Sequence, residues 1–495
     1  VTNPIAPEQN AARAKQLYLL ILLLTVGVAT WLRISKLGHP MRFDESYTFL
    51  YFAGPDEPWG VFQRYNPNNH VLLTLLVRAC YALGGMAPEI IRAPTLLIGV
   101  ALVAAAAELA RRMNGLLAAL GAGMLAATSS ILIEYSVNAR GYGPVALMTL
   151  LMAICTHRIL QAPRERLPWL AWGLTAAFGA FFMPIMLFPA VFFLMVIALQ
   201  TRMSFQFFPF VQIGCTVAGS VLLTLILYSP ILYFNGWRSL LANKWIEPKA
   251  FSEVVAGVPR IGMETLGHWL RDTSTLWAAL VVAGLVASLV YGIKKRSLLH
   301  CTPVLFPLTA VVMTLAQRLL PYPRVWLFLL PLLLVYAACG WAWLAQSTRF
   351  SQRILAPLFV LLFLGVSVDA GLKTLANPYL ISEDSAVLVD AESIVKDALG
   401  AELDNSRTAL VWDNQVPTWP PLAYYLILYC PPDRLFTDYK SRACQQALLV
   451  VGEGQTVERL YSDMPGMDEY GAPTVWRNYP RATVYQAKRK APPQP

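Results

Sequence analysis

The sequence predicts an α-helical polytopic membrane protein that carries a small soluble α/β domain at its C-terminal end. Three observations predict it. The chain of 495 residues is 56% hydrophobic and only 14% charged, where a soluble domain carries about 25% charged residues. Apolar runs of membrane-crossing length recur as far as about residue 372. Beyond that point the pattern changes to short apolar runs bounded by turn residues. The net charge of +10 falls mostly in short clusters between apolar runs. That is the signature of membrane orientation, so it is not read as nucleic-acid binding.

The elements follow in order. A polar stretch containing Arg13 and Lys15 leads into a first span at about 17–34, an anchor with no small-residue cleavage site after it. Residues 35–92 are largely polar. Within them Val71–Leu83 is apolar but short for a crossing, which takes about 20 residues, and Arg78 interrupts it. It is either a second crossing or a helix lying at the interface. Further spans are expected at about 93–110, 115–133, 143–160, 168–182, 184–200, 207–231, 275–292, 302–320, 324–345 and 354–372. If 71–83 stays out of the bilayer, Arg111, Arg112, Arg158, Arg164, Arg166, Arg202, Lys294, Lys295, Arg296, Arg349 and Arg353 all fall in short loops on the side of the N-terminus. If it crosses, this bias inverts. Positive-inside asymmetry therefore makes 71–83 a juxtamembrane helix and gives about eleven spans. The N-terminus is expected in the cytoplasm and the C-terminus outside.

The domain boundary is placed at 372/373. In 373–495, Thr408–Trp412 and Ala447–Val451 read as buried strands. Helices are expected near 385–399 and 419–429, and a disordered tail at 488–495. Cys80, Cys155, Cys215, Cys301 and Cys339 lie in apolar surroundings and read as packing residues. Cys430 and Cys444 lie in the polar region, where they either form a disulfide or stay free. No Cys/His metal spacing occurs.

The chemistry concentrates at the outer ends of the spans. Met41-Arg42-Phe43-Asp44-Glu45-Ser46-Tyr47 sets two carboxylates just after the first span. Acids so close to a bilayer are costly, which makes them candidate functional groups. Pro67-Asn68-Asn69-His70 forms a turn before the juxtamembrane helix. Tyr135-Ser136-Val137-Asn138-Ala139-Arg140-Gly141-Tyr142 opens a later span, and Pro321-Tyr322-Pro323-Arg324 opens another. The predicted topology brings all of them to one face.

The first three of these stretches, in this order, resemble bacterial GT-C glycosyltransferases. Among these the sequence looks most like the group containing protein O-mannosyltransferases and the lipid A aminoarabinose transferase. The sequence departs from the pattern at Val71-Leu72, where many relatives have Pro-Pro after the histidine, and at Asn138, where many have Glu. The resemblance implies a sugar donor carried on polyprenyl phosphate at the outer leaflet of the bacterial inner membrane. It also implies inversion at the anomeric carbon and a lipid, glycan or protein acceptor. Such a leaving phosphate needs no protonated acid. The reaction needs one carboxylate base toward the acceptor hydroxyl and cations around the phosphate.

Asp44 is the expected base, against the alternative of a helix N-cap. Glu45 either orients it or makes an outer-loop contact. Arg140 is the leading phosphate ligand, against an interfacial arginine reaching to headgroups. Tyr142 either binds the phosphate or belongs to an aromatic belt. Arg324, Lys244, Lys249 and Arg271 are further phosphate candidates. His70, Asn69, Asn138 and His268 are assigned to the acceptor or donor, with a structural loop role open for His70. Asp44 and Glu45 offer oxygens of the kind Mg²⁺ takes, but no Asp-x-Asp completes a site, so no cofactor is expected. The alternatives are an oligosaccharyltransferase or glycan polymerase of the same architecture, and a lipid-linked sugar flippase.

Overall fold

The computed structural model describes residues 7–490 apart from 55–58, 204–208, 242–246, 348, 379, 381–387, 402, 404, 414–418 and 431–435. Among these, nine helices are long and apolar enough to cross a membrane. One of them, Ala93–Thr128, is two apolar segments joined at a break. Its backbone breaks at Asn114 and Gly115, where Gly115 takes φ +80°, a value that needs no Cβ. The two halves run antiparallel along the first helix, Pro7–Ile34. At one end Tyr18 donates to Glu108 (2.7 Å). At the other, Arg33 donates to Ser136 (3.0 Å) and to the carbonyl of Ala127 (3.2 Å). The Arg166–Phe182 helix has 17 residues, just under the length of the nine. Counting it and both halves gives the eleven apolar segments that the hydropathy pattern implies.

The Val71–Gly84 helix has 14 residues. At 1.5 Å per residue it spans about 21 Å, short of the ~30 Å hydrocarbon core. It lies between the Ala93–Thr128 and Arg166–Phe182 helices. The last apolar helix runs Arg349–Ala376, so the membrane body ends four residues beyond the expected boundary.

The C-terminal domain is a four-stranded sheet in the order β1-β2-β4-β3. Strand β1 (Thr408–Val411) pairs parallel with β2 (Gln446–Gly452), and β2 pairs antiparallel with β4 (Ala482–Lys488). The hairpin partner β3 (Thr474–Asn478) was not legible in the sequence. Side chains alternate across the sheet. Leu410, Leu448, Val450 and Val484 pack toward the Ala391–Gly400 and Trp419–Tyr429 helices, in one core with the membrane body. Ala409, Val411, Ala447, Leu449 and Val451 pack on the Val457–Asp463 helix instead. Both faces are covered, which is why β2 reads as an unbroken apolar run.

Of the two alternatives left open for Cys430 and Cys444, the structure shows both buried and not joined in a disulfide. The expected disordered tail is corrected in part. Lys488, Arg489 and Lys490 are ordered parts of the domain, since Arg489 pairs with Glu469 and bridges Tyr470. Residues 491–495 lie outside the described residues.

The domain docks on the first loop of the membrane body. The Tyr425 hydroxyl accepts from the Met41 N–H (3.1 Å), and Tyr424 donates to the Met86 carbonyl. The Tyr424 ring meets Phe49 edge-on at 5.4 Å.

Candidate active site

The Phe43–Thr48 helix carries both carboxylates, followed by a π-helical turn at Phe49–Ala53. Such turns are rare and recur at functional sites. Glu45, at the third helical position, reaches back to accept from the Arg42 N–H (3.0 Å), half of a capping box. Its carboxylate is fully buried. It also accepts from Arg92 Nε (3.1 Å), from a second Arg92 nitrogen, and from the Ala139 N–H (3.1 Å). Burial by itself would raise its pKa. The Arg92 charge, the Arg92 hydrogen bonds and the two backbone donors outweigh that and leave it lowered. Glu45 thus ties the first loop to the 135–141 turn. Its oxygens are spent inside the protein, and the geometry gives it a positioning role.

Asp44 faces the other way. Its Oδ2 lies 3.6 Å from an Arg140 nitrogen and 3.6 Å from an Arg324 nitrogen. The Arg140 guanidinium also donates to Thr48 Oγ1 (2.9 Å), the Asn68 carbonyl (2.9 Å) and Asn68 Oδ1 (2.5 Å). Its buried Nε has no partner among the described residues. Arg324 enters from the start of the Pro323–Phe328 helical turn. It donates to the Tyr142 hydroxyl (3.0 Å) and lies over the Tyr322 ring (4.9 Å). Two guanidinium groups, one carboxylate and one phenol therefore converge, with fork-shaped donors suited to phosphate.

His70 holds the turn that presents Arg140. Its Nδ1 accepts from the Gly141 N–H (2.8 Å), and Gly141 packs so tightly against His70 and Met183 that a Cβ would collide with both. Burial, then the nearby charges of Arg140 and Arg324, depress the His70 pKa well below its ordinary value.

Tyr142 is buried and bonded to Arg324, so it is no belt residue. Asn69 is used internally, donating to the Val61 carbonyl (2.8 Å) and accepting from Thr74 (2.9 Å). Asn138 is buried beside the site, and its Oδ1 has no partner among the described residues. Arg271 is not brought to Asp44. It pairs with Glu134, whose other oxygen accepts from Arg42 (2.5 Å). The His268 pKa is lowered by burial first and then by Arg271, against the charges of Glu134 and Glu264, which places it in the Arg271–Glu134 group. Lys249 is exposed. Lys244 lies outside the described residues. Sequence reasoning missed Arg92, Glu134, Thr48 and Asn68 as partners. Arg92 and Glu134 signalled only by charge at the end of an apolar run, and Asn68 only as part of the Pro67–His70 turn.

An apolar groove of about 270 Å³ opens between the Phe251–Trp269 and Thr302–Gln317 helices, with Ile261, Thr265 and Leu320 among its walls together with Pro321 and Trp326, which flank Arg324 in sequence. Among the described residues, no three His, Cys, Asp or Glu side chains gather to hold a metal ion.

No protein-family model matches the chain, and no curated protein sequence is similar to it. Solved structures are similar. ArnT from Cupriavidus metallidurans in the apo state superposes with a TM-score of 0.61 at 12% identity, over 94% of this chain and 97% of that one. The same protein bound to undecaprenyl phosphate gives a TM-score of 0.55 at 13% identity, over 97% and 98%. The archaeal oligosaccharyltransferase AglB from Archaeoglobus fulgidus reaches only 0.49 at 12% identity, over 94% and 74%, too low to bear on function. The chain has the fold of the GT-C membrane glycosyltransferases, with ArnT, a lipid A aminoarabinose transferase, among its structural neighbours.

Proposed function

We propose that the protein is an inverting glycosyltransferase that moves a monosaccharide from a polyprenyl-phosphate donor to a hydroxyl of an envelope acceptor. The observation that carries this reading is Asp44 held 3.6 Å from both Arg140 and Arg324, beside an apolar groove suited to a prenyl tail. The neighbour bound to undecaprenyl phosphate supports the same donor class.

In this mechanism the donor phosphate sits between Arg140 and Arg324, with the tail along the groove. The acceptor oxygen attacks the anomeric carbon from the face opposite the phosphate. The carbon–oxygen bond to phosphate breaks, and polyprenyl phosphate leaves with the electron pair. Asp44 takes the acceptor proton. The arginines stabilise the charge that gathers on the leaving phosphate. Glu45 and His70 hold the two loops that present these groups. The reaction takes place at the outer face of a bacterial inner membrane, with the N-terminus cytoplasmic and the C-terminal domain periplasmic.

A mass comparison of polyprenyl lipids and envelope glycans, between cells with and without the protein, tests the reading. Loss of the protein should build up one lipid-linked sugar and remove the same sugar mass from one envelope molecule. If both pools are unchanged, the protein is no transferase.

A further inference from the structure

From Met41 to Gly54, the residues that keep solvent exposure are Phe43, Tyr47, Leu50 and Tyr51. The element that carries Asp44 is otherwise buried, and the face it turns outward is mostly aromatic. Phe43 and Tyr47 stack with ring centres 5.8 Å apart and 23° between planes. Tyr47 and Tyr51 stack at 4.4 Å and 28°. Trp419, the first residue of the Trp419–Tyr429 helix, stands edge-on to Tyr47 (6.3 Å, 70°) and to Tyr51 (6.0 Å, 79°). The result is a corner, with a stepped floor of three rings and one wall from the C-terminal domain.

A solvent-facing helix edge is normally polar, so three stacked rings there call for an occupant. Hydrocarbon is the first alternative, and the position argues against it. The row sits at the seam with the C-terminal domain, on a helix whose inner side holds the Glu45–Arg92 pair and Asp44. Its edge is polar as well, since the Asn66 side chain lies close to the Tyr47 hydroxyl. Flat rings beside hydrogen-bonding groups suit a pyranose, whose axial C–H bonds form an apolar face and whose rim carries hydroxyls. Asp44 and Tyr47 are three residues apart on the same helix, a spacing that makes their side chains neighbours. A sugar stacked on Tyr47 therefore lies next to the candidate base.

We infer that Phe43, Tyr47, Tyr51 and Trp419 form a stacking platform for a sugar ring of the acceptor, which makes the C-terminal domain one wall of the acceptor site. This rests on the transferase reading, and it assigns the acceptor to the carbohydrate-bearing class.

The test replaces Tyr51 by the photoreactive aromatic benzoylphenylalanine in the full chain. Membranes of the producing cells are irradiated, and the labelled peptide is analysed by mass spectrometry. Tyr51 is 40% exposed, which leaves room for the larger side chain to extend outward. The expected adduct is a glycan that yields sugar fragment ions. A phospholipid adduct, or no adduct, overturns the platform. In a transfer assay with the captured glycan, Tyr51→Ala and Trp419→Ala should each raise the half-saturating acceptor concentration about tenfold. Trp419→Phe should restore most of it, and donor half-saturation should not move. Equal shifts for donor and acceptor would also overturn the platform. The two readings separate cleanly. A glycan adduct with a fully active Asp44→Asn keeps the platform and sinks the mechanism. An inactive Asp44→Asn with no glycan adduct does the reverse.

Discussion

The carboxylate of Asp44 and the guanidinium of Arg324 face each other at 3.6 Å, longer than a hydrogen bond and short enough for strong attraction. Arg140 stands at the same distance on another side. An anion entering this corner meets two guanidinium groups already in place. We expect Arg140→Ala and Arg324→Ala each to lower transfer about a hundredfold and to weaken donor binding. The double variant should lose less than the product of the two, because both would hold one phosphate. Lysine should rescue neither, since Arg140 uses several nitrogens at once on Thr48 and Asn68. Steady-state kinetics with donor titration checks this.

Glu45 should behave quite differently. Glu45→Gln leaves Arg92 buried without its counter-charge, and breaking such a pair costs about 3–5 kcal/mol. That is a large share of the roughly 5–15 kcal/mol that holds a domain folded. The expected outcome is a clear drop in melting temperature and in yield of folded protein, as followed by detergent-phase thermal unfolding. Full stability with selective loss of rate would make Glu45 catalytic instead.

Stability should fall on acidification because of buried neutral histidines in the first loop. The His70 pKa is depressed well below 6.5, first by burial and then by Arg140 and Arg324. That of His39 is pushed down to about 3 by burial and by Arg42 and Arg92. A depressed histidine takes up its proton more readily in the unfolded chain. Its contribution is therefore complete above about pH 6.5 and is lost as pH falls below that value. Melting temperatures measured from pH 7.5 to 5 should decline, and His70→Asn should flatten the decline while lowering the plateau.

Chelation should have little effect. Asp44 and Glu45 turn to different partners, and the positive charge at Asp44 comes from two arginines. Transfer rates should stay within about twofold after EDTA treatment and metal-free dialysis, a change of less than 0.5 kcal/mol. A loss restored by Mg²⁺ or Mn²⁺ would contradict the account.

Much of this architecture was legible in the sequence because hydrocarbon imposes length and polarity on each crossing. Gly115 between two apolar runs marked the turn that the backbone makes at φ +80°. The shortness of the apolar run at 71–83 marked the 14-residue helix Val71–Gly84. Asp44, Arg140 and Arg324 stood out as charges at span ends, and the fold brings the three together. What was not legible was pairing across the chain. Nothing local shows that Glu45 takes Arg92, or that Glu134 takes Arg42 and Arg271, because ion pairs between distant segments leave no periodic trace. Strands β3 and β4 escaped for a related reason. Residues such as Arg477 and Asn478 on the exposed edge strand weaken its apolar signal.

The most direct test of the central claim is transfer by purified Asp44→Asn protein reconstituted with the lipid-linked sugar that accumulates in deficient cells. The variant should bind this donor as the wild type does and release no polyprenyl phosphate when acceptor is added. Transfer at the wild-type rate would remove Asp44 as the base and contradict the mechanism.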